Sequence, residues 1–423
     1  MFHEQRNEEL RICSEFEKKL IKFENSKFAP LQPFMEKLRS YFTPQLMLGL
    51  YVFLALAVSV QLNVLGPKYI EGWNHPLTHY NVYLIFKDSF FHLIHNQDLY
   101  QYWPNEHWDL YKYSPAFALF MAPFANLPDW LGLGLWSLLN SIVLFVGLYQ
   151  IPNLSQKAKT LLLLFVLVEL STSLQNAQSN ALVVGLVLLG FNQFEKGNRG
   201  WATFWIVASG FIKIYGIAAL GLALFYPNKL RTAFFTGLWT ILLLFLPLLV
   251  VSPTQLWFLY TSWKNLLAND HSNSIGMSVQ GLAISWLQFK GNKDLILLAS
   301  MALMGFPFLL WNRYQDFGFR CLVLALLLIW LVIFNHKAES PTFVIAMAGV
   351  GLWYFSKPNR PVSDTVFLLI ALFLTSLSVT DLIPSSLRKT YIYPYSIKAL
   401  GCLVIWVKIL WEIVAPKSSK LKG

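Results

Sequence analysis

Thr232 to Val251 is a stretch of twenty residues without a charged side chain, and long apolar runs of this kind recur throughout the 423-residue chain. Wound as a helix, twenty residues reach about 30 Å, the thickness of the hydrocarbon core of a bilayer. No water inside that core satisfies a backbone N–H or C=O, so only helices and closed barrels cross it. A barrel needs polar and apolar residues to alternate over segments of about ten residues, a pattern absent here. The fold class that follows is all-α: a polytopic membrane protein of about 10–12 transmembrane helices.

The runs fall at about 44–66, 129–151, 160–173, 179–194, 201–212, 214–227, 232–251, 294–311, 320–335, 342–356, 363–382 and 397–415. Several are shorter than the roughly 17 residues usually needed to span, so half-helices or merged, tilted helices are expected. Charged residues make up only 13% of the chain, about half the share of a soluble protein. The formal charge of +11 does not signal nucleic acid, because Lys and Arg stand in ones and twos at the ends of apolar runs. Cys13, Cys321 and Cys402 have no metal-ligand spacing, and neither a disulfide framework nor a zinc site is expected.

Residues 1–42 mix eight Lys and Arg with seven Glu and read as a cytoplasmic or interfacial helix. No cleavable signal is expected there, and the first span is expected to direct insertion. The transmembrane domain then occupies 43–415, and 416–423 is a basic tail. Placing the amino terminus in the cytoplasm and switching sides at each run sends Lys157 and Lys159, Lys196 and Arg199, Lys229 and Arg231, Arg313 and Arg320, Lys357 and Arg360 to short inner loops. That is the positive-inside pattern, with both termini cytoplasmic and the chain in the cytoplasmic membrane. The other side receives the long connections 67–113 and 252–293 and seven of the eight histidines, which makes it the expected working face.

From His79 to Ile94 the residues Val82, Ile85, Phe86, Phe90, Leu93 and Ile94 recur at helical spacing, as in a juxtamembrane helix lying on the outer leaflet or an amphipathic surface brace. Beyond it come Asp98-Leu99-Tyr100, Trp108-Asp109-Leu110-Tyr111-Lys112-Tyr113-Ser114-Pro115, Phe117-Ala118-Leu119-Phe120 and Leu127-Pro128 before the Trp136 span. The second long connection holds Asp270-His271, and His336-Lys337-Ala338-Glu339 stands between two apolar runs. Charges so near a span boundary are costly unless paired or wet. Glu169, Gln175, Asn176, Gln178, Asn180 and Lys213 also sit in or beside spans. Such amides either glue helices together or line a polar pocket. Asp109 is equally a turn or cap residue, and Lys213 equally a helix-end snorkeller.

The ordered string over 81–140, with Tyr113-Ser114-Pro115-Ala116-Phe117-Ala118-Leu119 at its centre, resembles glycosyltransferase family 87. The blocks Glu169 to Asn180 and Phe334 to Pro341 look like those of a Bacteroidetes-type branch and extend the likeness over most of the chain. The resemblance implies the architecture of the large membrane glycosyltransferases (GT-C-like), with outer-face juxtamembrane helices. It also implies a polyprenyl-phosphate sugar donor, mannosyl in bacterial members, and a lipid or glycan acceptor outside the membrane. In the family a catalytic Asp opens the loop helix; here that position falls at Asn81 and Val82, and an amide cannot take a proton from a sugar hydroxyl.

Displacing a polyprenyl phosphate from an anomeric carbon needs one carboxylate and several cationic or hydrogen-bonding groups. The catalytic candidates are Asp109, Asp88 and Asp270; the donor-phosphate candidates are His336, Lys337, Lys112, Lys213 and His271. The substrate-lining candidates are Asn81, Tyr83, Tyr113, Glu169, Gln175, Asn176, Gln178, Asn180 and Glu339. No metal or cofactor is called for, since cationic side chains can meet a lipid monophosphate and no Asp-x-Asp motif occurs. The competing reading is a transporter or flippase for a lipid-linked sugar, which would show paired repeats and mid-membrane charges rather than polar groups crowding one face.

Overall fold

A computed structural model describes residues 43–69, 76–269 and 275–415, apart from the side chain of Lys293. The expected helix over 1–42, the tail 416–423, and Asp270 and His271 lie outside the described residues. The chain divides into two compact units, Met1–Gly49 and Leu50–Gly423. Of the first, residues 43–49 are described: Thr43 Oγ1 accepts from Leu46 N at 3.2 Å and caps the start of helix α1, Pro44–Val64. Apart from the first residues of α1, all that follows concerns the second unit.

The apolar runs become helical segments almost one for one. After α1 come α2 (Asn81–Ile94), α3 (Pro115–Phe120), α4 (Asp129–Tyr149), α5 (Gln156–Gln175), α6 (Asn180–Glu195) and α7 (Arg199–Ile212). A 3₁₀ segment, Ile214–Phe225, folds back on α7, and α8 (Lys229–Phe245) follows. The connection expected over 252–293 is itself helical in part, with α9 (Pro253–Asn269) and α10 (Val279–Leu287). The set closes with α11 (Lys293–Gly305), α12 (Phe317–Ile333), α13 (Phe343–Phe355), α14 (Val362–Ala371) and α15 (Ile397–Val414). Among the described residues the only extended pairing is a lone bridge, Lys68 to Leu77.

Pro44–Val64, Asp129–Tyr149, Gln156–Gln175 and Lys229–Leu249 are long and apolar enough to cross a bilayer, and apolar helices of 10–17 residues stand beside them. The protein is an all-α polytopic membrane protein. Two short helices form its centre. Every residue of α13 is buried, and so is every residue of α6 except Gln193 and Glu195. A helix apolar on all sides has no lipid-facing or water-facing stripe and belongs inside other helices.

Small residues and amides bring the central helices together. A Cβ on Gly185 of α6 would meet Val143 O of α4 at 2.8 Å, so only glycine permits that approach. Asn192 Nδ2 donates to Gly147 O at 2.9 Å, and Leu182 N donates to Asn140 Oδ1 at 3.0 Å. At the Glu195 end of α6, Arg320 holds both carboxylate oxygens of Glu195 at 2.6 and 2.7 Å. Near the ends of α13 and α15, Lys357 bridges Asp364 at 2.6 Å and Glu412 at 2.8 Å.

The helix α2 lies where the helical spacing places it, and of its two readings the surface brace fits better than the leaflet helix, because Ile85, Phe86, Phe90 and Leu93 are buried in protein. Phe86 makes edge-to-face contacts with Tyr113, Phe117 and Trp136, at centroid distances of 4.9, 5.2 and 5.5 Å. This aromatic cluster covers the stripe in place of lipid. Lys87 Nζ pins the helix to Asp129 Oδ1 at the start of α4, 2.6 Å away.

Candidate active site

The tyrosine-rich string after α2 folds into a hydrogen-bonded knot. Tyr100 donates from its hydroxyl to Tyr113 O at 2.9 Å, Tyr111 to Ser114 O at 2.7 Å, and Ser114 Oγ to Phe211 O at 2.6 Å. Ser114 Oγ also accepts from Phe117 N and caps α3, with Pro115 at its first position. The knot therefore brings Lys112 and Tyr113 against the turn at the end of α7, where Lys213 lies 5.8 Å from the centroid of the Tyr113 ring.

Around this turn opens a cavity of about 660 Å³. One wall is α2, through Asn81, Val82, Ile85 and Phe86, and a second is Trp108 to Tyr113. Asn176 and Gln178 come from the turn between α5 and α6, and Ile212 to Tyr215 from the end of α7. Asn335, His336, Lys337, Glu339 and Thr342, ahead of α13, close the far side with Gln280 and Asp294. The N-termini of both central helices thus border the cavity, and a helix N-terminus favours negative charge.

Lys213 is the most enclosed cation here. Its Nζ donates to Asn180 Oδ1 at 2.7 Å and Gln178 Oε1 at 3.5 Å. Burial lowers this ammonium to about 8, while the Glu339 carboxylate pulls the other way. Asn81 is buried, accepts from Trp108 N at 3.1 Å, and has an Nδ2 with no hydrogen-bond partner among the described residues. A buried donor without a partner is costly, and Asn81 is also a wall residue of the cavity.

The loop 335–339 is held from two sides. Asn335 Oδ1 accepts from Lys337 N at 3.0 Å, and Ala338 O accepts from Met277 N at 2.8 Å. Gly276 has φ +51°, and a Cβ there would lie 2.5 Å from His336 O. Only glycine combines that backbone with that approach.

A smaller cavity of about 400 Å³ adjoins the first, lined by Gly276, Met277, Ala338, Ser340 and Tyr393. Lys112, Lys337 and Glu339 line both, so the two spaces meet along these three side chains.

Of the residues singled out from the sequence, Asn81, Asp109, Lys112, Tyr113, Asn176, Gln178, Lys213, His336, Lys337 and Glu339 line the larger cavity. Asn180 is not in its wall but holds Lys213. Four others stand elsewhere. Asp88 is not among the residues that line the cavity; burial, together with Glu106 and Asp129 and against Lys87, raises it to about 7. Tyr83 is buried, its hydroxyl donating to Phe124 O at 3.1 Å. Glu169 pairs with Lys398 at 2.9 Å, and Gln175 is exposed at the end of α5.

Asp109 accepts from Leu110 N at 2.7 Å and pairs with Lys112 at 3.4 Å. Tyr215, Gln280, Asp294, Asn335 and Thr342 are wall residues that sequence reasoning did not select. Asn335 lay inside a quoted block, but no pattern marked the other four. Trp108 borders the cavity, whereas Trp103 stacks on His92, Trp263 donates to Lys112 O, and Trp286 donates to Tyr395 O. Among the described residues no group of three or more His, Cys, Asp or Glu is arranged to hold a metal.

Residues 111–379 match the model of glycosyltransferase family 87, a span that includes Lys112, Lys213 and the 335–339 loop but not Asn81 or Asp109. No curated protein matches the chain.

Proposed function

The chain belongs to glycosyltransferase family 87 and is a membrane glycosyltransferase, and from that premise we propose that it moves a hexosyl unit from a polyprenyl-phosphate donor to a lipid or glycan acceptor. The observation that carries this reading is Lys213, a cation in the cavity wall whose hydrogen-bond partners among the described residues are the neutral amides of Asn180 and Gln178. Such a charge is held in place without being cancelled by those partners, as binding a phosphate requires. Lys112, Lys337 and His336 border the same space.

The wall formed by Val82, Ile85, Phe86, Ile212 and Ile214 suits the lipid stem of such a donor, and Asn81, Asn176 and Gln178 suit sugar hydroxyls. Charge on the leaving phosphate is met by side chains, so the reading calls for no metal. The paired residues Arg320, Arg313 and Lys357 lie toward the other helix ends, which supports a cytoplasmic position for those ends and an extracytoplasmic cavity. A mannosyl donor is the first to test.

Purified protein is incubated with a panel of polyprenyl-phosphate hexoses and acceptor lipids, and donor consumption is read by mass spectrometry. Consumption of at least one such donor is expected. Sugar transfer from nucleotide sugars alone would reject the lipid donor.

A further inference from the structure

Two cavities that share a wall suggest two substrates that meet there. The larger has the enclosed Lys213 and an apolar side; the smaller has no such lipid-like wall and is bordered by Ser340, Tyr393 and backbone around Gly276. The shared wall consists of two lysines and one acid, Glu339.

The three acids bordering the larger cavity differ in their engagements. Asp109 is occupied by Leu110 N and Lys112 and does not border the smaller cavity. Asp294, at the start of α11, borders only the larger. The Glu339 carboxylate makes no hydrogen bond or ion pair among the described residues, yet its charge acts on Lys213 and on Tyr113. It therefore stands near the cation assigned to the donor phosphate and at the entrance to the second space. The loop that carries it is clamped by Met277 N to Ala338 O at 2.8 Å, and Ser340, the next residue, accepts from Lys398 Nζ at 2.9 Å. The backbone that carries Glu339 is thus fixed at both neighbouring residues.

We propose that the smaller cavity receives the acceptor and that Glu339 takes the proton of the attacking hydroxyl. The acceptor oxygen forms its bond to the anomeric carbon while the bond from that carbon to the phosphate oxygen breaks. The hydroxyl proton passes to the Glu339 carboxylate, and the electron pair of the broken bond leaves on the polyprenyl phosphate beside Lys213. This assignment rests on the glycosyl-transfer reading above. It supplies the base that Asn81, at the start of α2, cannot be.

The test uses the full chain in detergent or nanodiscs, with the hexose donor that the wild type consumes, and compares Glu339→Gln, Asp109→Asn and Met277→Trp. Retention of the bare polyprenyl phosphate serves as a binding readout independent of turnover. For Glu339→Gln, kcat should fall roughly 10²–10⁴-fold, the acidic limb of the pH–rate profile should vanish, and polyprenyl phosphate should be retained as by the wild type. For Asp109→Asn the fall should stay under about tenfold with that limb preserved. Met277→Trp, which fills the smaller cavity, should raise the acceptor KM and leave the donor KM unchanged. Transfer retained in Glu339→Gln, or its loss in Asp109→Asn instead, overturns the base assignment while leaving the donor reading intact. Met277→Trp with an unchanged acceptor KM overturns the acceptor site, and a wild type that consumes no lipid-linked donor overturns both readings.

Discussion

The Lys213 ammonium is held by Asn180 Oδ1 at 2.7 Å, an amide standing where a carboxylate would cancel the charge. Asn180→Asp would supply that carboxylate, and Lys213→Met would remove the cation. Each should raise the donor KM about 10- to 100-fold, the equivalent of one charge-assisted hydrogen bond. Initial rates against donor concentration check this, with thermal melting to establish folding. An unchanged KM in both variants would remove Lys213 from the donor site.

Deep between α5 and α15, Lys398 and Glu169 are 1% and 0% exposed and lie 2.9 Å apart. Removing one member leaves a buried charge unmatched, which costs about 3–5 kcal/mol, whereas removing both is far milder. Lys398→Met should therefore lower the melting temperature strongly, and Glu169→Gln with Lys398→Met should recover most of the loss. Equal melting temperatures for the single and double variants would show that the pair is not coupled.

Asp88 offers a pH-dependent signal outside the cavity. Burial first, then Glu106 and Asp129, raise its carboxyl from 3.8 to about 7 against the pull of Lys87. Between those values the folded protein holds a proton that the unfolded chain has released, so stability falls as pH rises toward 7. The melting temperature of the wild type should drop between pH 5 and pH 8, and Asp88→Asn should flatten that drop while keeping transfer activity. An identical slope in both proteins would contradict the assignment.

At Gly276, φ is +51° and a Cβ would sit 2.5 Å from His336 O. Gly276→Ala must then shift the 335–339 loop or its own backbone. Activity should fall at least about tenfold, because small displacements of a reacting group are costly. Full activity with an unchanged melting temperature would mean that the loop does not need this clamp.

Much of this molecule could be read in one dimension. Helix positions follow from runs of apolar residues because length and composition alone decide what fits a bilayer. The pairing of Trp108 to Tyr113 with His336 to Glu339 around one cavity was not readable, since more than two hundred residues separate them. Lys398 did carry a signal, a lysine early in the 397–415 run, where a charge is expensive. Its partner Glu169 is 229 residues away, and no sequence spacing encodes that pairing. The stripe on α2 left two readings open for the same reason: periodicity reveals an apolar face but not whether lipid or protein covers it.

The central claim is that the Lys213 cavity takes a polyprenyl-phosphate sugar as donor. The most direct measurement follows, in one reaction with purified protein, both the sugar transferred and the polyprenyl phosphate released, for the wild type and for Lys213→Met. One polyprenyl phosphate should be released per sugar transferred by the wild type, and the donor KM should be about 10- to 100-fold higher in the variant. Transfer without release of polyprenyl phosphate, or with the same donor KM in both proteins, would contradict it.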